Sequence, residues 1–323
     1  MDAFETIKQE LARLNWNKEP HGLYEPIDYA LSSGGKRLRP ALTLIAADIY
    51  NADPQLALPA ALALELFHNF TLLHDDVMDN AKMRRGKPCV HIRWDANTAI
   101  LSGDQMLIEA YGKLQSVPPT CLEKVMALFT KMATEICEGQ QYDMDFEKRD
   151  NVTIPEYIEM IRLKTSVLLG TALQLGAYIA GATDEEQLAL YDYGVNIGIA
   201  FQLQDDLLDV YGNPDTFGKV IGGDILEGKK TYLLLTALRA ASDTRKQQLL
   251  RQLHAPANTD REMQQKIAAV TAIYDKLNVR EACEDAVKNY TQTALAQLEK
   301  LKVSTRKKNI LVDLANRLLA RKE

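Results

Sequence analysis

Asp75-Asp76-Val77-Met78-Asp79 and Asp205-Asp206-Leu207-Leu208-Asp209 repeat one pattern, Asp-Asp-x-x-Asp, within a single chain. The outer acids of each copy are four residues apart, so on a helix Asp75 shares a face with Asp79 and Asp205 with Asp209. Like charges at that spacing repel unless a cation intervenes. Carboxylate oxygens suit hard ions, and Mg²⁺ characteristically takes one or two protein carboxylates and completes its shell with water and substrate phosphates. Two such clusters facing one cavity would hold several Mg²⁺ and, through them, a diphosphate. A solvated acidic face is the ordinary alternative. It fits poorly here, because Leu72, Leu73 and Val77 flank the first triplet, and Phe201, Leu203, Leu207 and Leu208 flank the second. Carboxylates beside apolar surface are costly unless paired or metal-bound.

Basic residues accompany both triplets. Gly34-Gly35 precedes Lys36, Arg37 and Arg39 at the mouth of an apolar helix, where backbone N–H groups, a helix N-terminus and cations can converge on an anion. The segment after Asp79 is a polar loop carrying Lys82, Arg84, Arg85 and Lys87, and an Arg pair suits bidentate phosphate contacts. Further on, Lys164-Thr165-Ser166 interrupts an apolar helix whose lysine needs an anionic partner. Gly218-Lys219 and Gly228-Lys229 follow the second triplet. The chemistry suggested is a metal-bound diphosphate beside a second anion site that uses no metal. At 100° per residue His68 and Thr71 share the Asp75 face, Phe67 flanks it and Phe70 points well around the helix.

The elements that must carry these groups are helical. Helix-like spacing covers residues 2–15, 20–33, 41–50 and 56–79, then two or three helices up to about residue 139, broken at Val117-Pro118-Pro119. One long apolar helix is predicted over 155–181, another over 187–211, and four or five more from 230 onward. Period-2 alternation is nearly absent, so the fold class is all-α. The chain has 323 residues, 46% hydrophobic and 25% charged, with no Pro/Gly/Ser-rich linker; it reads as a single domain over residues 1–323. A net charge of −6 argues against nucleic acid as a partner. Four scattered cysteines without a Cys-x-x-Cys pair, no long apolar run and no leader-like start indicate a cytoplasmic protein without a membrane anchor.

Taken together, these motifs resemble the trans-isoprenyl diphosphate (polyprenyl) synthases, over the stretch from Gly34 to Thr231 and in that family's order. The resemblance implies the isoprenoid (terpenoid) synthase fold, a single large helical bundle around a central cavity, usually as a homodimer. It also implies an Mg-dependent prenyltransferase with about three Mg²⁺ per active site. Asp75, Asp79 and Asp205 would ligate metal, with Asp76, Asp206 and Asp209 in or near the shell. The allylic diphosphate (dimethylallyl, geranyl or farnesyl) would be held by that cluster with Arg84, Lys164 and Lys229. Isopentenyl diphosphate would sit against Lys36, Arg39, His68 and Arg85, with Gly35 and Arg37 nearby. Thr165, Gln202 and Lys219 would border the allylic group.

In this family the residues just before the first triplet floor the growing chain, here Phe67, Phe70 and Thr71. A bulky Phe70, no insertion in the triplet and a non-aromatic Thr71 favour a C20 product, geranylgeranyl diphosphate, with C15 farnesyl diphosphate as the alternative. A class I terpene cyclase would not need Lys36, Arg39 and Arg85, and a regulatory synthase subunit would not keep two intact acid motifs.

Overall fold

The computed structural model describes residues 2–213 and 221–320. In chain order the helices are α1 (Ala3–Ala12), α2 (His21–Ser32), α3 (Leu38–Ile49), α4 (Leu58–Met78), α5 (Val90–Arg93), α6 (Ala96–Leu114), α7 (Leu122–Glu147), α8 (Ile154–Ile161), α9 (Val167–Ile179) and α10 (Asp184–Tyr211). They continue as α11 (Gly223–Glu227), α12 (Tyr232–Ala240), α13 (Asp243–His254), α14 (Asp260–Lys276), α15 (Val279–Gln297) and α16 (Thr305–Leu319). The only strands among the described residues are β1 (Met83–Arg84) and β2 (Lys87–Pro88), an antiparallel pair. The all-α expectation holds, with most helices starting and stopping close to where periodicity predicts. The chain divides into two compact units, residues 1–131 with 171–191, and residues 132–170 with 192–323.

In the first unit, every residue of α4 from Ala60 to Phe67 is buried, including Glu65. A helix buried all round is the core element of its unit. α3 and α6 pack on it, and α6 approaches closely at Gly103. An ideal Cβ at Gly103 would fall 2.5 Å from His74 Nε2, so glycine alone allows this contact. Start signals are conventional: Asp2 accepts N–H bonds at the head of α1 and Asp95 at the head of α6.

In the second unit, Thr153 and Glu156 form a reciprocal capping box at the start of α8, as do Thr259 and Glu262 at α14. α10 carries Gly194 and Gly198 at helical spacing. Cβ atoms there would meet Gly170 Cα at 2.7 Å and Ser166 Cα at 2.7 Å, so two missing side chains let backbones touch. The single helix expected over 155–181 is instead two, joined by a π-helical turn over Arg162–Ser166. Ser166 Oγ donates to the Ile161 carbonyl five residues back at 3.2 Å, matching the wider turn.

Candidate active site

In the first unit the acid triplet closes α4. Asp75 is half-buried, Asp76 is buried and Asp79, the C-cap, is exposed. Carboxylates at a helix C-terminus oppose the helix dipole, at about 0.3–1 kcal/mol each, and α4 has no basic residue in its last turn. Asp76 is answered from outside the helix: Arg84 Nε donates to its Oδ1 at 2.7 Å. The accessible members are therefore Asp75 and Asp79, hard oxygen donors on one face.

Arg84 reaches Asp76 from a hairpin that the sequence reading takes for a loop. Arg85 and Gly86 form its turn with φ of 52° and 75°. Left-handed values at both central positions match the twist of a two-residue hairpin. The Arg85 guanidinium reaches back to donate to the Gly34 carbonyl. It lies where Gly35 has no side chain, since a Cβ there would fall 2.7 Å from Arg85 Cζ, and Gly35 has φ of +120°. Gly35 thus makes room for a cation, and Gly34 supplies the carbonyl that holds it.

Arg37 and Arg39 have different surroundings. Arg37 is turned inward: it donates to Glu65 on α4 and to the Leu31 carbonyl, and Asn69 Nδ2 donates to the same Glu65 oxygen at 2.9 Å. Arg39 Nη1 lies 3.1 Å from His68 Nε2. A guanidinium only donates, so Nε2 accepts and the imidazole is neutral. Burial, then the charges of Arg39, Arg85, Arg84 and Arg37, hold the His68 pKa well below its ordinary value. Burial lowers Arg39 to about 10, with Arg85 adding to the effect, and burial and Arg37 lower Arg85. Arg39 Nε is buried with no hydrogen-bond partner among the described residues. Crowded cations and an orphaned donor are what an anion would relieve. Lys36 is exposed beside them. Toward the middle of α4, Phe67 is buried and Phe70 half-buried, with ring centroids 5.5 Å apart, and Thr71 Oγ1 donates to the His68 carbonyl at 2.8 Å.

In the second unit, a cleft of about 180 Å³ is lined by Lys164, Thr165, Gln202, Asp206, Asp224 and Lys229, among others. Lys164 Nζ pairs with Asp143 on α7 at 2.6 Å. Asp205 is half-buried, whereas Asp206 and Asp209 are buried. Asp206 accepts from the Tyr157 hydroxyl, from Gln202 Nε2 at 3.3 Å and from the Tyr232 N–H at 3.3 Å. Burial, aided by Asp224, still raises its carboxyl to about 7 against those donors. Asp209 accepts the Asp224 N–H at 3.0 Å and so tethers the head of α11. Lys229 pairs with Glu227 at 2.9 Å and lies 3.7 Å from Asp224. Burial alone would lower its pKa, and these acids more than reverse that. Lys219 lies outside the described residues.

Sequence reasoning does not single out Glu65, Asp143, Tyr157 or Asp224. Glu65 has a readable signal, a lone acid in the apolar run Ala60–Leu66. Tyr157 and Asp224 have none, since only the folded chain brings them to Asp206. Among the described residues, no three His, Cys, Asp or Glu side chains gather tightly enough to form a metal shell by themselves.

Helices bearing two Asp-Asp-x-x-Asp motifs, the first beside Arg84 and the second beside Lys164 and Lys229, define a chain of the all-α isoprenoid synthase class. Residues 20–271 match the polyprenyl synthetase family, and the chain belongs to that family of enzymes. It is 47% identical over 220 residues to a geranylgeranyl diphosphate synthase of Methanosarcina mazei, covering 68% of each chain. It is 38% identical to a geranylgeranyl pyrophosphate synthase of Geoglobus acetivorans, covering 99% of this chain and 97% of that one. A crystal structure of a geranylgeranyl pyrophosphate synthase superposes with a TM-score of 0.94 at 46% identity, covering 99% of this chain and 98% of that one.

Proposed function

We propose that the protein condenses isopentenyl diphosphate head-to-tail with allylic diphosphates and releases a C20 all-trans product, geranylgeranyl diphosphate. The observation that carries this reading lies within the first unit. One helix bears an accessible acid pair, Asp75 and Asp79, and a neutral His68 that accepts from an Arg39 whose Nε is orphaned. Two diphosphate sites of different chemistry, one metal-assisted and one purely cationic, are what a condensation of two diphosphates requires. A cyclase with one diphosphate has no use for the second. The relatives named as geranylgeranyl diphosphate synthases support the C20 length.

Asp75, Asp79 and Asp205 are the proposed Mg²⁺ ligands, and about three ions would serve one active site. Mg²⁺, when bound, would neutralise negative charge on the leaving diphosphate. Lys164, Lys229 and Arg84 add positive charge for the allylic diphosphate, and Arg39, Arg85 and Lys36 bind isopentenyl diphosphate. The allylic C–O bond ionises, the double bond of isopentenyl diphosphate attacks the cation, and a proton is lost to the departing diphosphate. Thr165 and Gln202 oxygens border the cation, and water must be kept out to prevent quenching. Asp76, Asp206 and Asp209 support the reaction by position: each carboxylate accepts from the groups that fix neighbouring elements.

The chain acts as one catalytic domain and as a homodimer. Ile100, Leu101 and Ile108 stand 43%, 60% and 63% exposed on α6, an apolar stripe suited to a second copy. No helix among the described residues is long and apolar enough to cross a membrane. The test is incubation with Mg²⁺, isopentenyl diphosphate and, separately, C5, C10 and C15 allylic diphosphates, with products dephosphorylated and sized. A ladder ending at C20 is expected, dependent on Mg²⁺ and abolished by chelation. Cyclic hydrocarbon without condensation would overturn the reading.

A further inference from the structure

Phe70 lies five residues before Asp75, about 7.5 Å along the helix axis, and is the side chain on which the proposed C20 length rests. Its ring is not held by α4 alone. One turn on, His74 meets it edge to face, with centroids 4.7 Å apart and planes at 69°. On the other side lies Phe67, whose ring in turn meets Phe129 at 5.5 Å, and Phe129 meets Tyr111 at 5.2 Å. Phe67 and Phe129 are fully buried and cannot shift without repacking the unit. The side of Phe70 with freedom to change is therefore the His74 side.

His74 is itself fixed by α6. Its Nε2 lies 3.0 Å from the Ile100 carbonyl, which can only accept, so this nitrogen carries the proton. Asp104 Oδ1 stands 3.7 Å from the same atom. The ring occupies the slot left by Gly103, where a Cβ would fall 2.5 Å from Nε2, 2.6 Å from Cδ2 and 3.5 Å from Phe70 Cδ2. A Cβ–ring distance of 2.5 Å is far inside van der Waals contact, so a side chain at 103 requires the His74 ring or the α6 backbone to shift.

We propose that His74, seated in the Gly103 slot and tied to the Ile100 carbonyl, is a positioning residue that locks the Phe70 ring and thereby sets the length at which the product chain stops. The inference rests on the proposed role of Phe70 as floor of the growing chain. Side chains at i and i+4 of a helix stack one above the other. Removing His74 frees the Phe70 ring to rotate toward α6, and adding a methyl at Gly103 drives His74 into it. Either change alters how far an isoprenoid tail can extend while leaving the Phe70 side chain in place.

The experiment compares product distributions from isopentenyl diphosphate and the C15 allylic substrate for wild type, F70A, H74A, H74Q, G103A and the F70A/H74A double variant. Product ratios do not depend on how much of a preparation is folded, so partial loss of active enzyme leaves the readout intact. F70A should lengthen products. H74A should raise the ratio of products longer than C20 to C20 by about tenfold, a difference of ~1.4 kcal/mol between competing barriers. G103A should also change that ratio, whereas H74Q, which keeps a donor for the Ile100 carbonyl, should stay close to wild type. In the double variant, H74A should add nothing to F70A, because it acts through Phe70. An H74A distribution matching wild type while F70A lengthens products overturns this proposal alone. The same holds if H74A shifts products equally with and without Phe70. Unchanged products from F70A would instead remove Phe70 as the floor, and the present inference with it.

Discussion

Arg39 and His68 meet through Nη1 and Nε2 at 3.1 Å, and this contact fixes the charge on the imidazole. An Nε2 that accepts from a guanidinium cannot carry a proton, and burial among four arginines disfavours protonation further. The folded pKa therefore lies below the unfolded value of about 6.5. Below that pH the unfolded chain binds a proton that the native chain does not, so this histidine costs stability as pH falls through 6.5 toward its native pKa. In ligand-free protein, urea titrations between pH 5 and 7 should give wild type a slope steeper than H68N by up to about 1.4 kcal/mol per pH unit. Parallel slopes would mean that His68 is charged in the native state. A bound diphosphate, which brings negative charge to the same arginines, should shrink the difference.

The Arg37–Glu65 pair is a second place where a charge acts through the fold. Glu65 is buried and Arg37 largely so, at 3% and 11% side-chain exposure, and Asn69 and the Leu31 carbonyl complete their hydrogen bonds. Removing one partner strands the other, at about 3–5 kcal/mol. E65A should cost that much in denaturant unfolding, and R37M/E65L should recover most of it, because an apolar pair of similar volume avoids the desolvation. A double variant no more stable than E65A would show that Arg37 is needed for more than its partner.

Gly139 and Lys164 form a contact between backbones. A Cβ at Gly139 would fall 2.3 Å from the Lys164 N and 2.7 Å from its Cα. The π-turn that carries Lys164 and Thr165 must then move. G139A should destabilise the protein by about 1–3 kcal/mol, in the range of overpacked cores, and turnover should fall at least about tenfold as the turn shifts. Unchanged turnover in a folded G139A protein would mean that the turn tolerates displacement.

These three sites mark the boundary of what the sequence discloses. Helix content, the approximate limits of most helices, the two acid triplets and the cation clusters are local patterns, and composition and 3.6-residue periodicity reveal them. The π-turn is not local. In the sequence Arg162–Ser166 is only a polar stretch within one continuous helix, and the wider turn accompanies the close approach of α7 at Gly139. The hairpin after Asp79 is only faintly signalled by Arg85-Gly86, since arginine seldom takes a left-handed φ. The inward turn of Arg37 depends on a glutamate on another helix, so a run of three cations reads as equivalent until the fold separates them. The same holds for the acids: six aspartates of one pattern divide into buried and accessible members only through partners such as Tyr157, Arg84 and Asp224.

The second triplet offers the sharpest test of that division. Asp209 is buried and accepts the Asp224 N–H at 3.0 Å, and its carbonyl accepts the Gly222 N–H at 2.6 Å. Asp205 is half-buried on the same helix face and is the proposed metal ligand. Replacing a carboxylate that tethers a helix start costs about 0.5–2 kcal/mol, so D209A should lose stability in that range. D205N changes a charge without removing a hydrogen-bonding side chain, and its unfolding free energy should stay within about 0.5 kcal/mol of wild type. Its turnover should fall at least about a hundredfold, with the Mg²⁺ concentration for half-maximal rate rising, because one hard oxygen donor has become a neutral amide. Denaturant titrations and steady-state rates at several Mg²⁺ concentrations read both effects on the same preparations. A D205N protein with wild-type Mg²⁺ dependence would remove Asp205 from the metal shell. A D209A protein of undiminished stability would show that the head of α11 does not rely on that carboxylate.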